Sequence, residues 1–201
     1  MSNSVGDVTA LAALSLRFAR VDRASRHPDG VRPETDADHT VMLALVACAF
    51  AAARAPRLDL GLIAQFSTVH DLVEAYSGDV MSLGMSTETR RAKEEGERVA
   101  LERIRREFAT LPWIAGTIDA YERLDAEEAR FVKILDKAVA ILTHLLNGGA
   151  ALRGLGIHFA QAHAAHLRLR ETMALEYPQA EALALYDEII AHCAAEWGVA
   201  P

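Results

Sequence analysis

The stretch VMLALVACAFAAA, Val41 to Ala53, is an uninterrupted apolar run of 13 residues. A bilayer-spanning helix needs roughly 20, so the run reads as a buried helix central to a packed protein and not as a membrane segment. Its alanines set the local structure. Ala supplies 38 of the 201 residues, Gly and Pro together number 18, and aromatic residues are only 6%. Ala is the best helix former and the β-favouring aromatics are scarce, so the chain leans all-α before any periodicity is considered.

Periodicity agrees. Leu11, Leu14, Phe18 and Val21 predict a first amphipathic helix over 7–23. After the polar loop RASRHPDGVRPET, Thr35 and Asp38 form a capping-box pattern that starts the helix holding the apolar run. Leu62, Ile63, Phe66, Val69 and Val73 predict a helix over 58–76, stopped by Ser77-Gly78 and followed by the loop SGDVMSLGMS. Helices then follow over 88–108, 112–123, 127–146, 158–176 and 178–197. The second-last pair is divided by Asn147-Gly148-Gly149, and Pro178 divides the last two. No strand pair is credible, and no linker or repeat divides the chain. The expected fold is a single-domain all-α bundle of about six to seven main helices, with a core over 7–150. The helices at 156–197 would pack on that core or at an oligomer interface.

Charge removes whole classes of function. With 21 Lys+Arg against 28 Asp+Glu the formal charge is −7, and broad capture of a nucleic-acid polymer or an anionic membrane needs a basic face. The Arg and Lys residues of 88–108 alternate with glutamates and read as a solvated, ion-paired face. Cys48 and Cys193 form neither a disulfide framework nor a thiolate motif and read as buried free thiols in a reducing cytoplasm. No basic segment precedes the first apolar stretch, so export is not expected.

Chemistry concentrates at FSTVHDLVEAYSGD. His70 and Glu74 are four apart and Asp71 and Glu74 three apart, so on a helix all three converge, and Asp79 follows just past the helix end. Adjacent His and Asp are common on exposed faces. Here Phe66, Val69, Leu72 and Val73 surround them, and a buried carboxylate needs a cation. His39 precedes the apolar run, and Asp136 lies among apolar residues between Lys133 and Lys137, where a surface ion pair is the plain alternative. Two imidazoles and two carboxylates on three helices suit Mn, Co, Fe, Ni or Zn better than Ca or Mg. His158, His163 and His166 read as a surface cluster.

The order His39, His70-Asp71, Asp136 resembles the H…HD…D signature of the HD-domain metal-dependent phosphohydrolases. ETDADH, HDLVEAYSGD and ARFVKILDKAVAIL are similar to the corresponding segments of its 5′-deoxynucleotidase branch, the likeness running from about Arg17 to Leu146. The resemblance implies that His39, His70, Asp71 and Asp136 bind a divalent transition metal. It implies that Glu74 serves proton transfer and that Asp79 orients water and substrate. It also implies an Arg on the phosphate, for which Arg23 is the best match, with Arg20 and Arg26 as alternates. Lys93 is a further phosphate contact by position.

The implied activity is hydrolysis of deoxynucleoside monophosphates to deoxynucleosides and phosphate. A deoxynucleoside triphosphate triphosphohydrolase would use the same residues with extra cations such as Lys93, Lys133 or Lys137. A non-catalytic nucleotide-binding or assembly module is the alternative from another class. The expected partners are a small nucleotide and a second copy of the chain, as a homodimer or higher homo-oligomer.

Overall fold

In the computed structural model, which describes residues 4–81 and 85–199, the chain runs α1 (Ser4–Phe18), β1 (Asp22–Arg26), β2 (Pro33–Thr35), α2 (Asp36–Arg54), α3 (Leu60–Val69) and α4 (Glu74–Ser77). It continues α5 (Thr87–Glu107), α6 (Trp113–Glu122), α7 (Glu127–Leu146), α8 (Ala150–Gly154), α9 (Phe159–Glu176) and α10 (Ala180–Trp197). The architecture is all-α, as the alanine content dictates. Part of the SGDVMSLGMS loop, 82–84, lies outside the described residues.

Three local readings are corrected. The first helix stops at Phe18 rather than at residue 23, and the polar loop after it is an antiparallel ribbon in which Asp22 pairs with Thr35 and Arg26 with Pro33. A turn closes it: Gly30 N donates to His27 O at 2.9 Å, Gly30 takes φ +70°, and the Asp29 carboxylate accepts from Val31 N and Arg32 N. The helix expected over 58–76 is broken. From Val69 onward the backbone bonds run three residues apart, with Leu72 N to Val69 O at 3.1 Å and Glu74 N to Asp71 O at 2.8 Å. This tighter winding puts residues i and i+3 directly above one another. Short α8 is a further helix beyond those expected.

The third correction concerns the apolar run. Leu43, Ala47 and Ala51 are fully buried, but Val41 and Leu45 on the opposite side of α2 are 60% and 68% exposed. The run is thus buried on one face only. Cys48 is half-buried and Cys193 buried, both as free thiols.

Two hydrophobic clusters build the molecule. The larger joins α2, α3, α7 and α10 through Leu43, Ile63, Phe131, Leu135, Tyr186 and Ile190. The smaller joins α1, α5 and α6 to the 69–75 turn through Leu14, Phe18, Val69, Leu72, Ile104 and Ile118. Full burial of such side chains is worth roughly 1.5–3 kcal/mol each. His70 follows Val69 of the smaller cluster, and its ring meets Tyr121 of the larger one, His39 of α2 and Asp136 of α7, so it marks the seam between the clusters.

Candidate metal centre

Each element delivers its side chains for a local reason. Thr35 caps α2: its hydroxyl accepts from Asp38 N at 3.2 Å, and Asp38 accepts from Thr35 N at 3.0 Å. That box fixes the first turn and holds His39 fully buried beside α7. Asp136 sits mid-way along α7 with its side chain 5% exposed. The ribbon carries Arg23, and it is anchored by Asn147 Nδ2 donating to Arg26 O at 2.9 Å.

The structure brings His39, His70, Asp71 and Asp136 together, with one donor atom from each lying within 4.8 Å of the others. His39 Nε2 is 2.9 Å from Asp136 Oδ1, and His70 Nε2 is 3.0 Å from Asp71 Oδ2 and 3.9 Å from Asp136 Oδ1. His70 Nδ1 donates to Ser67 O at 2.8 Å, which leaves Nε2 to face the Asp71 and Asp136 carboxylates. That Nε2 is buried and has no hydrogen-bond partner. An imidazole nitrogen 3.0 Å from a carboxylate oxygen needs a positive charge between them, a proton or a metal ion. The donor set of two imidazole nitrogens and two carboxylate oxygens therefore fits a divalent transition ion.

Electrostatics reinforce this. Burial opposes ionisation of Asp71 and Asp136, yet both are held well below the usual carboxylate range: Asp71 chiefly by the His70 ring, Asp136 by Lys137 and the bond to His39. Burial also opposes charging His39, but bonds to Asp136 and Glu34 outweigh it and raise the imidazole to about 9.

Around the four lie the other predicted residues. Arg23 Nη1 bridges Asp36 Oδ1 at 3.2 Å and Asp71 Oδ2 at 3.1 Å, and these carboxylates raise its pKa despite burial. Arg20 is an exposed turn residue, and Arg26 donates to Val31 O at 2.6 Å within the ribbon, so neither alternate shares Arg23's place. Glu74 converges with Asp71 and Asp36 and not with the four-residue group. Its Oε1 accepts from Lys93 Nζ at 2.7 Å while Oε2 is buried without a partner. Burial, then the Asp71 charge, pushes Glu74 up to about 9 against the pull of Lys93. Gly78, at φ +78°, turns the chain so that the Asp79 charge acts on both Arg23 and Asp36. Lys93 is shared between Glu74 and Glu97, the latter at 2.9 Å.

Sequence reasoning missed three neighbours. Glu34, 3% exposed, lies 3.5 Å from His39 Nδ1, accepts from Ser25 and is approached by Thr143 Oγ1 at 3.5 Å. Asp36 is fully buried beside Arg23, and burial raises it to about 6. Lys137, read as part of a surface ion pair, instead holds the nearly buried Asp136 at 2.7 Å. Glu34 and Asp36 both stand in ETDADH, where acids at a helix start read as ordinary capping residues and give no signal of burial. His166 also departs from the surface reading: it is 9% exposed, its Nε2 lacks a partner, and burial lowers it to about 4.

Comparison with known proteins agrees with this geometry. A crystal structure of a predicted metal-dependent phosphohydrolase from Magnetospirillum magnetotacticum MS-1 superposes with a TM-score of 0.72 at 20% identity, over 98% of this chain and 100% of that one. No curated protein matches the sequence significantly. The HD domain family profile matches residues 15–175, so this chain belongs to the HD domain family.

Proposed function

We propose that this HD-domain chain is a metal-dependent phosphohydrolase, and that it cleaves the phosphate from deoxynucleoside monophosphates. The observation that carries the reading is the buried set His39, His70, Asp71 and Asp136, with an unpartnered imidazole nitrogen aimed at a carboxylate. The same fold is seen in the Magnetospirillum protein, described as a predicted metal-dependent phosphohydrolase. A divalent ion held by these four would acidify a water molecule and draw off phosphate charge.

The remaining residues supply the other parts. Arg23 offers a guanidinium whose fork matches phosphate oxygens, and its 14% exposure keeps that charge only partly hydrated. Glu74, with an unpartnered Oε2 and a raised pKa, holds a proton at neutral pH. As the bond between phosphorus and the 5′-oxygen breaks, that proton passes to the leaving oxygen and the nucleoside departs neutral. Water supplies the fourth phosphate oxygen. Lys93 orients Glu74, and the Asp79 charge acts on Arg23.

A monophosphate is favoured over a triphosphate by how the cations are spent. Lys93 is committed to Glu74 and Glu97, and Lys133 lies 3.6 Å from Glu122 and 5.0 Å over the Tyr121 ring. That leaves Arg23 and Lys137 beside the four-residue group, few charges for a β,γ tail. Phosphate release from a panel of deoxynucleoside mono- and triphosphates with Mn, Co, Zn or Mg checks this. Inorganic phosphate from monophosphates is expected, and release of triphosphate from triphosphates would replace the reading with the triphosphohydrolase one. A chain that binds no transition ion and cleaves neither class would be a non-catalytic module.

A further inference from the structure

We propose that Lys137 is a second phosphate contact, gripping the substrate's phosphoryl oxygens from the α7 side while Arg23 grips them from the ribbon side. The inference rests on the phosphohydrolase reading and narrows it to substrates ending in a dianionic phosphate monoester.

The case is an accounting of cation partners. Among the described residues, the cations near the metal centre are Arg23, Lys93, Lys133 and Lys137. Lys93 and Lys133 are held by Glu74, Glu97 and Glu122, none of which belongs to the four-residue metal group, so a bound ion leaves those pairs intact. Lys137 differs. Its only ion-pair partner among the described residues is Asp136, and the contact uses Oδ2, whereas Oδ1 faces His39 and His70. An ion taking Oδ1 compensates most of the charge that now neutralises Lys137.

An ammonium carries three donors and no acceptor. One is spent on Asp136 Oδ2, the side chain is 31% exposed, against 5% for Asp136, and the others have no acceptor among the described residues. The Lys137 and Arg23 charges also act on one another, and both act on Asp71. Arg23 sits 3.1 Å from Asp71 Oδ2 and Lys137 2.7 Å from Asp136 Oδ2, so each cation stands against one carboxylate of the metal group. With an ion on the Asp71 and Asp136 carboxylates, the two cations keep donors for a phosphate dianion, and each charge-assisted bond to it is strong. A long, flexible stem lets Lys137 follow the phosphate without leaving α7.

The test compares Lys137→Met and Lys137→Arg with the wild type, each loaded with Mn. Inorganic phosphate serves as competitive inhibitor and a deoxynucleoside monophosphate as substrate. Losing a charged hydrogen bond costs about 1.5–3 kcal/mol, or about ten- to more than a hundredfold. The expected result for Lys137→Met is that KM and the phosphate inhibition constant rise together by that factor, while Mn affinity is retained, and that Lys137→Arg restores part of the loss. Unchanged phosphate inhibition in Lys137→Met overturns the inference alone, as does a loss confined to Mn affinity, which would make Lys137 only a neutraliser of Asp136. If the Mn-loaded wild type binds no phosphate and cleaves no monoester, the phosphohydrolase reading falls, and this one with it.

Discussion

At the scale of the residue, the metal centre is set by the partners behind its ligands. Ser67 O takes the Nδ1 proton of His70 at 2.8 Å, and Glu34 lies 3.5 Å from Nδ1 of His39. Both arrangements leave Nε2 as the atom that meets the metal, and such supporting acceptors raise ligand basicity. Glu34→Gln keeps the shape and removes the charge, and should weaken transition-metal binding by about 10–100-fold in a competition titration; an unchanged affinity would strip Glu34 of this role. His39 adds a pH dependence. Without metal its pKa is raised to about 9 from an ordinary 6.5, so it holds its proton across the neutral range. The stability this lends is full below pH 6.5 and is lost as pH rises through about 9. Metal must displace that proton, so the affinity of the protein should climb by up to about tenfold per pH unit toward pH 9 and then level off. A flat profile between pH 6 and 9 would show that His39 is not a ligand.

At the scale of the element, local sequence decides how accurately the ligands are held, and it also explains what the sequence left hidden. The capping box of α2 and the apolar stripe of α7 were legible because their spacing is local: Thr35 and Asp38 are three apart, and Ile134, Leu135 and Ala138 follow helical steps. The ribbon was not legible. DRASR lacks any apolar alternation, and its pairing with Pro33–Thr35 is enforced by packing on α7 and α8, although Pro28-Asp29-Gly30 is a recognisable turn. The order His39, His70-Asp71, Asp136 could be read, whereas the partners of Glu34 and Asp36 could not, because Glu34 meets Thr143 and Asp36 meets Arg23 only after the chain folds. The corner after α7 is demanding. Gly149 takes φ +74°, and a Cβ there would lie 2.3 Å from the Phe159 ring, which itself stacks on Trp197 at 4.9 Å. Gly149→Ala should therefore cost about 1–3 kcal/mol of stability in denaturant unfolding; a neutral change would mean that the α7–α8 corner is softer than it looks.

At the scale of the whole molecule, two hydrophobic clusters meet along a seam, and the polar chemistry is confined there. Outside it the acidic surface carries helical ion pairs such as Arg98 with Glu95 and Arg103 with Glu107, each worth little on its own. The net charge of −7 that argues against a polymer substrate is compatible with a single phosphate, because a bound cation inverts the local charge balance at a cluster of acids. All of this depends on the seam holding an ion. The most direct measurement is the metal content of purified protein after loading with Mn or Co and removal of free ion, for the wild type and for Asp71→Ala. Stoichiometric metal in the wild type, together with its loss in the folded variant, is the result this account predicts. A wild-type protein that retains no metal, or an Asp71→Ala variant that retains it in full, would contradict it.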